Sequence, residues 1–274
     1  MKIYISADIE GVAGVISRDQ GGPESVEYEK GREWMTGEVR AACEAALEKG
    51  ATDILISDSH GNAQNLLVDD LPESVRIVRS WPRPLGMMQG LEEGGFDAAM
   101  LIGYHAGSTN DAGLMAHTLY GTVIREVRLN GQVASETLIS AGIAGHFNVP
   151  VIFISGDDVY VDETAGLLGD FESVVTKTAY GTLSGSTMTP SKARSLIASK
   201  VATAIDRLGD FNAKQIEAPV SVEVDFKHRL PAEMLDYLPI VKRISAYGVS
   251  YHASDMLDVS RFLSFITFYK PTLI

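Results

Sequence analysis

Short apolar runs alternate with longer amphipathic runs through the first half of the chain. The apolar runs have the length and the β-branched content of strands, and they cover residues 2–9, 51–60, 75–81 and 97–107. Residues 24–49 have the spacing of a long helix that Gly50 can end, and residues 85–94 are typical of a short helix. This alternation predicts an α/β fold, with a largely parallel sheet flanked by helices.

The pattern changes after about residue 120. Asn130-Gly131 lies between apolar runs at 122–129 and 132–134, and this dipeptide is typical of a tight β-hairpin. We expect a helix from about Ser135 to Phe147 after the hairpin. The apolar run at 149–158 then predicts a return to the sheet.

The last third of the chain begins with a clear helix start. Thr189-Pro190 places a capping hydroxyl before a proline at the first helical position, which predicts a helix through about Leu208. From about residue 216 the pattern indicates a strand, a short helix, a strand and a helix. We therefore predict an α/β domain over residues 1–215, which carries the functional site, and a smaller C-terminal α+β subdomain over residues 216–274.

The composition is that of an ordinary globular protein, with 45% hydrophobic and 22% charged residues among 274. The chain has 36 acidic and 23 basic residues, so its net charge is −13. A nucleic-acid partner is not expected, because phosphate binding needs clustered Lys and Arg. The single cysteine, Cys43, excludes an intrachain disulfide and a cysteine-based zinc site.

The sequence has no apolar stretch of the roughly 18–20 residues that cross a bilayer, so we expect no membrane partner. Its beginning lacks the order of a signal peptide, because Asp8 and Glu10 interrupt the first apolar run. We expect a cytoplasmic enzyme.

Residues able to bind a metal follow three of the first four predicted strands. Asp8 and Glu10 end the first strand, Asp58 and His60 the second, and His105 the fourth. Parallel strands collect ligands at their carboxyl ends, and alternation with period two points Asp8 and Glu10 to the same side. Two such carboxylates repel each other unless a cation lies between them. Mixed Asp, Glu and His sets suit zinc and also manganese.

Each of these motifs also has a purely structural interpretation. Asp-x-Glu at 8–10 can be solvated, residues 58–61 can form a turn capped by an aspartate, and His105 can be a satisfied histidine in a glycine-rich loop. Their coincidence at three strand ends favours a metal site. His117 follows the His105 loop and suits proton transfer. The pattern leaves the role of Glu136 open, because an acidic residue at a helix start also complements the helix dipole.

Five strings in this order resemble the bacterial D-aminopeptidase family of the dipeptide-transport operon type. They are SADIEGVAGV at 6–15, SDSHGNAQNL at 57–66, GYHAG at 103–107, LMAHT at 114–118 and SET at 135–137. The resemblance covers roughly residues 1–160 and continues more faintly to the C-terminus. The strings are specific as an ordered set and weak singly.

The resemblance implies a zinc-dependent aminopeptidase that releases N-terminal D-amino acids, such as D-alanine, from short peptides or amides by attack of a metal-activated water. It implies two divalent metal ions per subunit, zinc with manganese as the alternative. The ligands that it implies are a bridging Asp8 with Glu10, His60, His105 and Glu136. By the same match His117 is the catalytic histidine, and the chain forms a ring-based homo-oligomer, a decamer.

Two finer expectations concern the arrangement of this site. We expect Asp8 to be shared by two metals. His60 and Glu136 complete the ligands of one metal, and Glu10 and His105 complete those of the other. We also expect Asp58 to orient His60 through the other nitrogen of its ring.

Two alternative functions remain open from the sequence. One is another two-metal hydrolase, a phosphoesterase or an amidase, since clustered Asp, Glu and His serve that chemistry equally well. A phosphoesterase usually offers cations near the cluster, and Arg125 and Arg128 are the nearest in the sequence. The other is a non-catalytic, metal-containing peptide-binding protein in which His117 has no chemical role.

Overall fold

The computed structural model describes residues 1–269 of the chain. Its strands are β1 (Lys2–Ala7), β2 (Asp53–Asp58), β3 (Val75–Val78), β4 (Ala98–Ile102), β5 (Ile124–Leu129), β6 (Gln132–Val133), β7 (Val151–Asp157), β8 (Glu172–Gly181), β9 (Ser184–Thr187), β10 (Val220–Phe226), β11 (Val241–Arg243) and β12 (Gly248–Ala253). Its α-helices are α1 (Arg18–Gly21), α2 (Tyr28–Glu48), α3 (Glu136–His146), α4 (Asp158–Leu168), α5 (Pro190–Asp206), α6 (Arg229–Leu235) and α7 (Met256–Phe268).

The larger sheet has seven strands in the order β3-β2-β1-β4-β7-β8-β9. Its strands run parallel from β3 to β8, and only the edge strand β9 is antiparallel to its neighbour. The expected largely parallel sheet flanked by helices is therefore confirmed. The strand order brings the carboxyl ends of β2, β1 and β4 side by side.

The two faces of this sheet carry separate hydrophobic clusters. Ile3, Ile5 and Ala7 of β1 pack with buried residues of α2 and α5, and Ile9 continues the same alternation. On the other face, Tyr4 belongs to a cluster that includes residues of α3, α7 and the second sheet. Each large apolar side chain fully buried in this way contributes about 1.5–3 kcal/mol to folding.

The second sheet is antiparallel, in the order β11-β12-β10-β5-β6. The turn between β5 and β6 is formed by Asn130 and Gly131, both with positive φ, as the predicted tight hairpin requires. This sheet joins strands from both sides of residue 215, because β10 pairs with β5. The division of the chain into domains 1–215 and 216–274 stays a prediction.

Several elements differ from those that the pattern predicts. The short helix expected over 85–94 consists of two 3₁₀ turns, Gly86–Met88 and Leu91–Glu93, with Gly90 between them at φ +99°. The segment after residue 216 contains one additional short strand, β11. No element was predicted for α4, β8 and β9. The predicted Pro190 helix begins where expected, and the Thr189 hydroxyl accepts a hydrogen bond from the Lys192 N–H.

Two glycines allow the loops after β1 and β4 to touch. The Gly11 N–H donates to the Gly103 carbonyl at 2.7 Å. A Cβ on Gly11 would lie 2.0 Å from the Tyr104 carbonyl oxygen, and a Cβ on Gly103 would lie 2.3 Å from the Asp8 carbonyl oxygen. The close approach therefore excludes any larger residue at either position.

Candidate metal centre

The six side chains expected at the site converge at the carboxyl edge of the larger sheet. They lie in the loop after β1 (Asp8 and Glu10), after β2 (His60), after β4 (His105), in the β4–β5 connection (His117) and at the first position of α3 (Glu136). The strands themselves end before these residues, at Ala7, Asp58 and Ile102. The site is thus built from loops that three adjacent parallel strands bring together.

Asp8 lies at the middle of the cluster. Its Oδ1 is 3.1 Å from Nδ1 of His60, and its Oδ2 is 3.5 Å from Nε2 of His105. The same His60 nitrogen is 2.7 Å from Oε2 of Glu10. On the other side, Nε2 of His105 is 3.6 Å from Oε2 of Glu136. Each oxygen of the Asp8 carboxylate therefore faces a different histidine.

These contacts define two potential metal sites that share Asp8. One is Asp8 with Glu10 and His60, and the other is Asp8 with His105 and Glu136; in each set the ligand atoms lie within 4.8 Å of one another. This grouping differs from the expected partition, which exchanged Glu10 and Glu136. The physical reason is the strand order, because β1 lies between β2 and β4.

His117 lies on the open side of the cluster. Its ring stacks on that of His105, with 4.1 Å between centroids and 10° between planes. Its Nε2 is 3.9 Å from Oε1 of Glu10 and 3.8 Å from Oε1 of Glu136. The His117 side chain is 28% exposed, whereas that of His105 is only 2% exposed. Glu10, His105 and His117 form a third set of potential ligands.

Backbone carbonyls fix the orientation of all three imidazoles. Nε2–H of His60 donates to the Gly21 carbonyl at 2.6 Å, and Nδ1–H of His105 donates to the Ala106 carbonyl at 2.9 Å. Nδ1–H of His117 donates to the Met115 carbonyl at 2.9 Å. In each ring the remaining nitrogen faces the cluster, which is the orientation that a metal ligand needs.

Asp58 does not orient the His60 ring, so this expectation is wrong. Its carboxylate accepts hydrogen bonds from the backbone N–H groups of Asn65 and Leu66, at 2.6 and 2.8 Å, and from the Asn65 amide at 2.7 Å. The same Asn65 amide donates to the His60 carbonyl at 2.7 Å. Asp58 therefore holds the loop that carries His60, while Gly21 holds its ring.

The donor set fits a divalent cation. Nε2 of His105 is buried without a hydrogen-bond partner, which is costly unless another group binds it. Burial, reinforced by Glu10, raises the pKa of Asp8 to about 7. Burial lowers the pKa of His105, but Glu136, Glu10 and Asp8 together outweigh burial and raise that pKa to about 10. A cation between these groups would replace the shared protons and stabilise the carboxylates.

Sequence reasoning missed the residues that hold the Asp8–Val15 loop. Lys177 on β8 is 2% exposed, and its ammonium donates to the carbonyls of Glu10 and Val15. The neighbouring Thr176 hydroxyl donates to the Gly11 carbonyl at 2.6 Å. On α2, the buried Glu38 accepts a hydrogen bond from the Ala13 N–H at 2.9 Å. No local signal marks these residues, because a lysine in a strand is typical of a solvated edge.

A pocket of about 530 Å³ opens beside the centre. It is bordered by Asp8, His60, His117 and Glu136, and it extends to the C-terminal helix α7. Within residues 1–269, its lining contains neither lysine nor arginine. Arg125 is 69% exposed and pairs with Asp225, so it lies away from the pocket.

A buried carboxylate and imidazole cluster beside a pocket, at the carboxyl edge of a parallel sheet, defines a metal-dependent hydrolase. The sequence matches the peptidase M55 family, described as D-aminopeptidase, over residues 1–265. The chain belongs to this family. The resemblance predicted from the sequence is thereby confirmed, and with it the class of metal-dependent aminopeptidase.

Two comparisons with individual proteins agree with this family. The chain is 27% identical to the D-aminopeptidase of Bacillus subtilis (strain 168) over 260 residues, which cover 94% of this chain and 93% of the relative. It is similar in structure to the Zn-dependent D-aminopeptidase DppA from Bacillus subtilis, a self-compartmentalizing protease, with a TM-score of 0.92 and 26% identity over 97% of each chain.

Proposed function

We propose that the chain releases N-terminal D-amino acids, D-alanine among them, from short peptides or amides with two zinc ions per subunit. The observation that carries this proposal is the position of Asp8 between two complete ligand sets, beside a pocket open to a peptide. Asp8 is the bridging ligand. Glu10 and His60 complete one site, and His105 and Glu136 complete the other. Manganese is the alternative occupant, since it accepts the same mixed donor set.

When bound, two such ions would polarise a scissile carbonyl and lower the pKa of a bound water. His117 is the catalytic histidine. Burial and the adjacent His105 lower the pKa of His117, so its imidazole is neutral near pH 7 and able to accept a proton at Nε2. The Met115 carbonyl holds its other nitrogen, and therefore Nε2 is the atom that carries the proton to the leaving amine.

The pocket favours a peptide over a phosphate ester. A phosphoesterase usually provides a lysine or arginine beside its metals to bind the phosphate, and the described lining contains neither. The position of His117 on the open side of the cluster, facing the pocket, favours catalysis over a purely structural metal site.

A homo-oligomer is the second part of the proposal. Seven large apolar side chains on and after α6, within residues 229–247, are exposed by more than a third of their surface: Leu230, Met234, Tyr237, Leu238, Ile240, Ile244 and Tyr247. An apolar surface of this kind is typical of a protein–protein interface. The related DppA is a self-compartmentalizing protease, and a ring of ten subunits is our expectation for this chain.

Within residues 1–269 no helix is long and apolar enough to cross a membrane. The cytoplasm stays our prediction for its location.

The function is tested with matched pairs of D- and L-aminoacyl amides and short peptides, with p-nitrophenyl phosphate as the control ester. We expect hydrolysis of the D-alanyl substrates, loss of turnover with a chelator and recovery with zinc. Elemental analysis should give two ions per chain, and Glu10→Gln should lower that number. Cleavage of the ester alone, or the full metal content in Glu10→Gln, would contradict the proposal.

A further inference from the structure

The pocket beside the metal centre has an apolar far wall, which the hydrolytic reaction alone does not require. Its inner end is formed by the ligands and His117, whereas its far wall consists of large apolar side chains from three elements. These are Trp81 after β3, Ile139 and Ile143 on α3, and Leu263 and Phe268 on α7. The cavity of about 530 Å³ has the size of a small-molecule site.

Three of the six hydroxyl groups in the lining are engaged within the protein, whereas that of Thr267 is buried without a hydrogen-bond partner. The Ser264 hydroxyl donates to the Arg83 carbonyl at 2.8 Å, and the Ser59 hydroxyl donates to the Met87 carbonyl at 3.2 Å. The Ser140 hydroxyl lies 3.4 Å from the phenolic oxygen of Tyr104. What the far end of the pocket offers to a ligand is therefore mainly apolar surface.

The far wall is rigid as well as apolar. The Trp81 ring stacks on Phe268, with 4.8 Å between centroids and 23° between planes. The Trp81 indole N–H donates to the Gly61 carbonyl at 2.8 Å, and the buried Arg83 guanidinium lies 4.1 Å from the ring. These contacts hold the ring in one position, so the wall is formed before a ligand binds.

We propose that this pocket binds an apolar side chain larger than a methyl group, carried by one of the two residues that flank the scissile bond. The inference rests on the proposed function and names its substrate class, peptides with a bulky apolar residue next to the cleaved bond. A methyl group would leave most of this cavity unfilled. A leucine or phenylalanine side chain would bury its apolar surface against Ile139, Ile143 and Leu263.

Two substrate series distinguish the residue that enters the pocket. In the first, D-alanine, D-leucine and D-phenylalanine amides vary only the released residue. In the second, D-alanyl-glycine, D-alanyl-leucine and D-alanyl-phenylalanine vary only the following residue. With the zinc-loaded protein we expect kcat/KM to rise by at least about tenfold with side-chain size in one series, because added apolar groups in a fitted pocket give discrimination of that order.

A substitution that fills the pocket tests its location. Thr267→Trp places an indole in the lining, and Phe265→Trp adds a similar bulk to the exposed face of the same helix. We expect Thr267→Trp to lower the ratio of kcat/KM for the large over the small substrate by about tenfold, and Phe265→Trp to leave it unchanged. Ile143→Phe on α3 is the second filling variant, in case Thr267→Trp does not fold.

A binding measurement tests the pocket without turnover. In the Trp34→Phe variant, benzyl alcohol should change the fluorescence of Trp81, and the change should saturate as its concentration rises. In a separate assay, Thr267→Trp should weaken the inhibition of hydrolysis by benzyl alcohol. If D-alaninamide is cleaved while neither series prefers the larger residue and the probe does not bind, the inference is wrong and the proposed function stands. If the zinc-loaded protein hydrolyses no member of either series, the proposed function fails, and this inference fails with it.

Discussion

The buried ammonium of Lys177 donates a hydrogen bond to the main-chain carbonyl of Glu10, and a second one, at 2.7 Å, to the carbonyl of Val15. These two carbonyls bracket the loop that carries one ligand of the metal centre. Lys177 is thus a positioning residue, which acts on the metal site through the backbone.

We predict that Lys177→Met lowers the affinity for zinc. The variant keeps the apolar stem but leaves two buried carbonyls without a donor, and loss of such supporting contacts typically weakens metal binding by about 10- to 100-fold. Competition with a chelating dye measures this change. Lys200→Met is the matched control, because Lys200 pairs with Glu172 on the surface. An unchanged zinc affinity in folded Lys177→Met would show that the loop does not depend on this lysine.

His117→Ala should separate catalysis from metal binding. We expect kcat to fall by about 10²- to 10⁴-fold, the usual contribution of a positioned acid or base, while two zinc ions remain bound. His146→Ala, at the exposed end of α3, is the control for removal of an imidazole elsewhere. Since His117 also groups with Glu10 and His105, loss of an ion in His117→Ala would identify it as a ligand.

Glu38 should make the stability of the protein depend on pH. Burial raises the pKa of Glu38 from 4.5 to about 7, so its protonated form is favoured in the folded state. The stability that this group contributes is therefore complete below about pH 4.5 and is lost as the pH rises through about 7. The difference is on the order of 3 kcal/mol in the free energy of unfolding.

Glu38→Gln tests this dependence, because glutamine can still accept the hydrogen bond from the Ala13 N–H but cannot ionise. From pH 5 to pH 8, the free energy of unfolding in urea should fall further for the metal-free wild type than for Glu38→Gln. At pH 8 the variant should therefore be the more stable protein. Parallel curves for the two proteins over this range would mean that Glu38 does not titrate there.

The exposed apolar surface on and after α6 should mediate assembly. The double variant Tyr237→Asp/Ile240→Asp places two carboxylates on this surface, and we expect a smaller mass than that of the wild-type oligomer by light scattering after gel filtration. Val26→Asp changes an equally exposed apolar residue far along the chain and should leave the mass unchanged. A double variant with the wild-type mass would place the subunit contacts elsewhere.

The sequence predicted the positions of the site better than its internal arrangement. Asp8, His60 and His105 were found because parallel strands gather their carboxyl ends at one edge. The grouping of the side chains around Asp8 was not predicted, because the order β2-β1-β4 is a property of the sheet that no local pattern contains. Lys177 was missed for a similar reason, since its strand was not predicted and its partners lie more than 160 positions away.

The proposed metal ligands all come from residues 8–136, whereas one part of the far wall of the pocket comes from α7, residues 256–268. A change in α7 can therefore reshape the cavity without displacing a ligand atom. Substitutions in this one helix are therefore expected to alter which peptides fit the pocket while they leave the hydrolytic site unchanged.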